Sequence, residues 1–309
     1  MSLKSIRMRD GQYLSVKIMG EDKKQSKPYV LLVHGIGGNH NSWLLQAFPF
    51  VKDFTFIIPN LRGFGNSQDV PFNKKDVLQN FAEDLEDVID SIVPEGEKVI
   101  LAGLSMGAYT CMKYLEMTKA KRISKYLNVD QSPKAMHTNG WQHGLLAHRQ
   151  KYLMPRMLVI MEEGRQYLET DFDKIPEDFK SEYFDSLGDF FECAFHRPHE
   201  RFVIKNLARH GNPLLIKAVC AHKFASYYQC LRAYIDFDYD FRQMFKTLNI
   251  PVTVHIGAHS VMYPAEGQQY IADNVPNLKK CVKFEEAHAL MYTAPLMFLE
   301  EFKEFLYNN

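Results

Sequence analysis

The residues whose types and spacing could do chemistry fall into three short stretches. The run Gly103-Leu104-Ser105-Met106-Gly107 directly follows an apolar segment, KVILA at 98–102, and opens a helical pattern. A serine on such a strand-to-helix turn is lifted to the carboxyl edge of a sheet. The small glycines permit the cramped backbone, and the helix amino end faces a developing oxyanion. A second stretch, His34-Gly35-Ile36-Gly37-Gly38, follows YVLLV. Its glycines let the loop double back towards the serine, so that the N–H groups of Ile36 and Met106 can form an oxyanion hole together. It is no nucleotide cradle, because neither G-x-G-x-x-G nor G-K-[ST] occurs. The third stretch is Glu285-Glu286-Ala287-His288-Ala289-Leu290. Acyl transfer from a serine needs a base at hydrogen-bond distance. Among 12 histidines, His288 is selected because the base comes last in sheets that carry Ser…Asp/Glu…His in chain order.

These groups need elements to hold them. Short apolar runs alternate with longer helical patterns, the signature of a mostly parallel sheet with helices on its faces. Strands are expected at Tyr13–Met19, Tyr29–Val33, 54–58, 98–102, Ile123–Val129, 252–256 and 280–284. Helices are expected at 73–93, 106–117 and 294–306. The first of these places Val77, Phe81, Leu85, Val88 and Ile92 on one face. From 131 to 240 the alternation stops. This stretch is helical in pattern, rich in Met, Phe and Tyr, and interrupted by Pro133, Pro155, Pro176, Pro198 and Pro213. It reads as a helical insertion between two strands of one sheet, with a small core of its own. The expected division is therefore a core of 1–130 with 241–309, and an insertion of 131–240.

HGIGG followed by Trp43, NLRGFGNS at 60–67, GLSMG and the terminal AHALM loop together resemble an α/β-hydrolase-fold serine hydrolase, in family order over essentially the whole chain. NLRGFGNS is similar to the family's D-x-R-G-x-G-x-S segment, with Asn60 where Asp is usual. The resemblance implies that 131–240 is a helical lid and that 238–257 leads out of it into the next strand. It also implies a triad acid in a G-x-x-D loop after the strand at 252–256. Here that loop reads Gly257-Ala258-His259-Ser260, so a neutral hydroxyl stands at the acid position. Some enzymes of this fold carry the acid one strand beyond the nucleophile strand, and Asp130, which ends ISKYLNV, occupies that place. Ligands and catalytic groups collect at this edge of open α/β sheets. Asp130 could instead cap the start of the insertion through Asx-type bonds. Glu266, Glu285 and Glu286 are further carboxylate candidates. Asp236, Asp238 and Asp240 read as solvated charges, and His196 and His199 as surface histidines. Arg62 is expected to order its own glycine loop.

Lys+Arg and Asp+Glu each number 37, so no basic excess steers the chain to nucleic acid or an anionic membrane. No run of about 18 apolar residues suggests a bilayer span. Cys111, Cys193, Cys220, Cys230 and Cys281 are odd in number, widely spaced and without C-x-x-C, which fits a reduced compartment better than a disulfide framework. With no apolar h-region near Met1, a cytoplasmic location is expected.

The sequence reading is a lidded serine hydrolase of a carboxylic ester or related acyl compound. Ser105 is the nucleophile, His288 the base and Asp130 the acid, and no metal or organic cofactor is needed. Trp43 and Trp141 are candidates to line the substrate pocket, with simple packing the alternative. Met154, Met157, Met161, Phe190, Phe191 and Phe195 point to an apolar acyl or aryl group. A serine at the elbow argues against haloalkane dehalogenase and epoxide hydrolase chemistry. Carbon–carbon hydrolysis, cofactor-free haloperoxidase or perhydrolase chemistry, and a non-catalytic small-molecule binder on the same scaffold stay open, as does a homodimer.

Overall fold

The apolar runs assemble into one eight-stranded sheet in the computed structural model, which describes residues 1–22, 26–219 and 221–308. The strands are β1 (Ser2–Arg7), β2 (Tyr13–Met19), β3 (Tyr29–Val33), β4 (Thr55–Pro59), β5 (Val99–Leu104), β6 (Ile123–Val129), β7 (Val252–Gly257) and β8 (Leu278–Phe284). Their spatial order is β1-β2-β4-β3-β5-β6-β7-β8. Strands β3 to β8 run parallel, and the β1–β2 pair adds an antiparallel edge. The edge strand β1 is absent from the sequence expectation. Its alternating half-buried and exposed residues carry too few apolar side chains to signal a strand.

Helices α1 (Leu44–Ala47), α2 (Val77–Ile92), α3 (Met106–Thr118), α4 (Gln150–Gly164), α5 (Glu177–Glu192), α6 (Pro198–Arg209), α7 (Pro213–Ala218), α8 (Phe224–Asp236), α9 (Arg242–Thr247), α10 (Ala265–Asn274), α11 (Leu290–Thr293) and α12 (Pro295–Tyr307) cover the sheet. Alternate residues of each buried strand feed opposite faces, as a period of two requires. Leu31, Val33 and Leu101 join α2, α3 and α10 on one face. Val30, Leu32, Ile100 and Ala102 join α1 and α12 on the other. Helix α2 starts four residues later than its apolar pattern suggests. The Asp76 carboxylate accepts from the Gln79 N–H and caps it there, which leaves 73–76 as loop.

Between β6 and β7 the chain adds no strand to the sheet and builds α4 to α9 instead. The ends of this insertion meet at a narrow neck: Phe241 N–H donates to Pro133 O at 2.8 Å, and Lys134 pairs with Asp240 in an isolated bridge. The insertion's aromatics pack on one another as expected, with Phe224 edge-on to both Phe179 and Tyr183, but this core is not separate from the rest. Met154, Met157, Met161, Phe190, Phe224 and Tyr234 belong to the same continuous apolar cluster as the α2–α3 face of the sheet. Ring contacts join the two parts, with Tyr234 against Tyr109 of α3 and Tyr227 against Phe64 of the loop after β4. Cys220 lies outside the described residues; Cys111, Cys193, Cys230 and Cys281 are free thiols. Among the described residues no helix is long and apolar enough to cross a membrane.

Candidate active site

Ser105 sits where β5 turns into α3, with φ 55° and ψ −126°. A side-chain-bearing residue adopts such angles only where the surroundings impose them. Here the sheet and helix do so: Ser105 N–H donates to Val129 O at 3.1 Å, and its carbonyl accepts from Ala108 N–H at 2.8 Å. The flanking glycines are steric necessities. A Cβ on Gly103 would lie 2.6 Å from Gly107 O, and one on Gly107 would meet the carbonyl oxygens of Val33 and His34.

The loop after β3 is held by a histidine. His34 is fully buried; its Nδ1 donates to Gly35 O at 2.8 Å while its Nε2 accepts the Leu61 N–H at 3.0 Å. This arrangement assigns the neutral tautomer, and burial pushes the pKa down to about 4. Gly35 lies so close to the elbow that a Cβ there would come within 3.2 Å of Ser105 Cβ. Ile36 and Met106 both border the same cavity as Ser105, and neither N–H has a protein acceptor among the described residues. Asn60 accepts from both the N–H and Nδ1 of His40 and donates to Ser15 O, so the amide braces this loop from behind. Arg62 does more than order its own loop. It reaches Pro71 O and forms a buried ion pair with Asp84 at 2.6 Å and another with Asp10 at 2.8 Å.

The carboxylate beside His288 is Asp130. His288 Nδ1 lies 2.5 Å from Asp130 Oδ2, across 158 residues of sequence. The carboxylate is fully buried and accepts three further bonds. Gly257 N–H (2.7 Å) and Gln268 Nε2 (2.8 Å) donate to Oδ1, and Ser260 Oγ (2.8 Å) donates to Oδ2. An acceptor-only group on the Nδ1 side puts the imidazole proton on Nδ1 and leaves Nε2 free as a base. Asp130 has φ 45°, a left-handed conformation that aspartate tolerates better than most residues. Ser260 is thus a donor to the carboxylate, a role that reading it only as a lost acid does not anticipate. Gln268 lies on α10, and no local motif marks either the helix or the residue. Of the other carboxylate candidates, Glu266 is exposed in the first turn of α10, and Glu285 and Glu286 are engaged elsewhere. Glu285 pairs with His259 and Glu286 with Arg197. Asp236, Asp238 and Asp240 pair with Arg232, Lys134 and Arg242. His196 stacks on His259 with ring centroids 4.9 Å apart, and His199 is exposed.

Ser105 and His288 open into one cavity of about 350 Å³ beneath the insertion. Helices α5 to α8 contribute Phe190, Phe191, Ile204, Leu215 and Tyr234, and the α5–α6 turn contributes Phe195. No Asp, Glu, Lys or Arg side chain lines it among the described residues. Met154, Met157 and Met161 are buried in the core and do not reach it. The two tryptophans are corrections to the pocket-lining reading. Trp43 packs against Phe298 and Phe302 on the α12 face, with centroids 6.2 and 5.9 Å away. Trp141 stands edge-on to Tyr270 at 5.4 Å with the Arg242 guanidinium over its ring. Both rings are buried, which keeps a large apolar surface from water. Tyr263 instead lines the cavity, its ring 6.1 Å from that of His288, and burial raises its hydroxyl pKa so that it stays neutral.

The sequence model of the alpha/beta hydrolase fold matches residues 28–153. The 3-oxoadipate enol-lactonase 1 of Acinetobacter baylyi is 27% identical over 133 residues, 43% of this chain and 47% of that protein. The alignment thus spans about half the length of this relative. The pimeloyl-[acyl-carrier protein] methyl ester esterase of Aliivibrio fischeri is 22% identical over 280 residues, 90% of this chain and 93% of that one. An esterase structure from Rhodococcus superposes with a TM-score of 0.72 at 20% identity, covering 100% of this chain and 99% of that one. With the sheet order, the elbow and the inserted helices, these likenesses show that the chain has the α/β-hydrolase fold.

Proposed function

We propose that the protein is a serine hydrolase of neutral carboxylic esters. The observation that carries the reading is the 2.5 Å bond between His288 Nδ1 and Asp130 Oδ2 beside a cavity that also holds Ser105. His288 Nε2 takes the Ser105 proton as Oγ bonds to the ester carbonyl carbon. The Ile36 and Met106 N–H groups receive the oxyanion; one such donor is typically worth 10²–10³ in turnover. The tetrahedral species collapses, the carbon–oxygen bond to the leaving alcohol breaks, and the alcohol departs with the proton from Nε2. Water repeats the sequence on the acyl-enzyme and releases the acid. Asp130 keeps the ring oriented and offsets the imidazolium charge.

The insertion acts as a lid that closes the cavity with apolar side chains. A cavity of about 350 Å³ is at the small end for sites that take small molecules, which suits a compact acyl or aryl group. A lining without charged side chains favours an uncharged group over a carboxylate, which would lose its hydration without gaining a partner.

A series of p-nitrophenyl esters of two to ten acyl carbons tests the activity, and a fluorophosphonate tests the nucleophile by mass spectrometry. The expected result is turnover of neutral esters and one adduct on Ser105, both absent in Ser105→Ala. A folded protein with neither turnover nor adduct would leave only the binding-protein alternative.

A further inference from the structure

We propose that Ser260 and Gln268 are positioning residues that make the Asp130 carboxylate competent, working as a pair of donors supplied by the loop and helix that follow β7. The inference rests on the reading of Asp130 as the triad acid. Asp130 is fully buried and lies beyond the last residue of β6 with φ 45°, so regular strand geometry does not aim its side chain. Its direction is set by what it accepts.

The donors are committed to it. Ser260 Oγ accepts the Tyr263 N–H at 3.3 Å, which turns its single proton towards Asp130 Oδ2, 2.8 Å away. That is the oxygen which also holds His288 Nδ1. Gln268 Nε2 has both hydrogens placed, one on Asp130 Oδ1 at 2.8 Å and one on Tyr263 O at 2.9 Å. Two acceptors flanking this nitrogen fix the orientation of the amide. Its Oε1 is buried with no partner among the described residues. An unpaired buried carbonyl is unfavourable, and a leucine would fill the same space without it. A glutamine that tolerates this defect while donating to the carboxylate is explained by the donation. Tyr263 connects the two donors through its N–H and its carbonyl, and its ring lines the cavity beside His288. The carboxylate and its surroundings have in effect exchanged places: the loop at 257–260, where the resemblance puts an acid, here presents hydroxyl and N–H donors to an acid on the neighbouring strand.

The test compares Ser260→Ala, Ser260→Thr, Gln268→Leu and Asp130→Asn in the full chain, with p-nitrophenyl butyrate as substrate. Hydrogen bonds to charged groups set the scale, so Ser260→Ala and Gln268→Leu are each expected to lower kcat about ten- to hundredfold. KM should stay within about threefold. Ser260→Thr, which keeps the hydroxyl, should recover most of the loss. The downfield proton resonance of the His288–Asp130 bond should move or broaden in the two donor variants. Gln268→Leu removes the unpaired Oε1 but leaves Tyr263 O and Asp130 Oδ1 short of a donor, so a thermal melt of each variant is read alongside kcat. Unchanged kcat in both donor variants, while Asp130→Asn loses activity, would overturn the inference and leave the triad reading intact. Loss of kcat only in step with loss of folded protein, without recovery in Ser260→Thr, would overturn it too. Full activity in Asp130→Asn would instead remove the reading on which it rests.

Discussion

Replacing Asp130 by Asn is the most direct probe of the proposed chemistry, and the structure says what the amide would do. The carboxylate accepts four donors, two on each oxygen. An asparagine has one acceptor oxygen and one donor NH₂. With its oxygen turned to Gly257 and Gln268, the NH₂ faces Ser260 Oγ and His288 Nδ1. The hydroxyl can rotate to accept, but the imidazole can do so only by moving its proton to Nε2. That is the wrong tautomer, because Nε2 then has no lone pair for the Ser105 proton. The opposite orientation sets the NH₂ against two fixed donors and is worse. The expected loss is about 10⁴ in kcat, as found when a triad carboxylate is made an amide, or roughly 5.5 kcal/mol of transition-state stabilisation. Shape is retained, asparagine tolerates φ 45°, and a buried charge is removed, so the fold should persist. The assay is initial-rate hydrolysis of p-nitrophenyl butyrate alongside a thermal melt. A variant that melts like the parent and keeps more than a tenth of its kcat would refute the reasoning.

Two further outcomes follow from buried groups. His255 on β7 is fully buried between Phe284 and Phe298, neither ring nitrogen has a hydrogen-bond partner among the described residues, and burial lowers its pKa to about 3. The folded state therefore binds fewer protons than the unfolded chain, whose histidine titrates near 6.5. This contribution to stability is complete above pH 6.5 and falls as the pH drops towards 3. Between pH 7 and pH 5 His255 should account for about 2 kcal/mol of lost stability. Urea unfolding of His255→Phe should show a pH 7-to-5 difference smaller than the parent's by that amount; an unchanged difference would contradict the assignment. Gly107→Ala would drive a methyl into the carbonyl oxygens of Val33 and His34, separating α3 from β3. Overpacking of this kind costs about 1–3 kcal/mol or more, which denaturant unfolding would resolve, and stability within 0.5 kcal/mol of the parent would show that the backbone yields there.

How much of the protein is legible in its sequence depends on the range of the forces involved. The elbow at Ser105 is readable because its demands are local: a strand, a cramped turn that needs glycine at 103 and 107, and a helix follow one another along five residues. The buried strands are readable because apolar residues on both faces leave continuous runs. The insertion is readable as helical, but not as sharing its core with the sheet, since a buried aromatic looks the same whichever neighbour buries it. The tryptophans that were candidates for the pocket turned out to be packing residues for the same reason. Asp130 could be named as the candidate acid from its place after β6, ahead of the glutamates, but only folding brings it against an imidazole 158 residues away. The donors that hold it leave no trace in the chain, because a hydrogen bond from Ser260 or Gln268 depends on the relative placement of β6, β7 and α10, and no periodicity or motif encodes that placement.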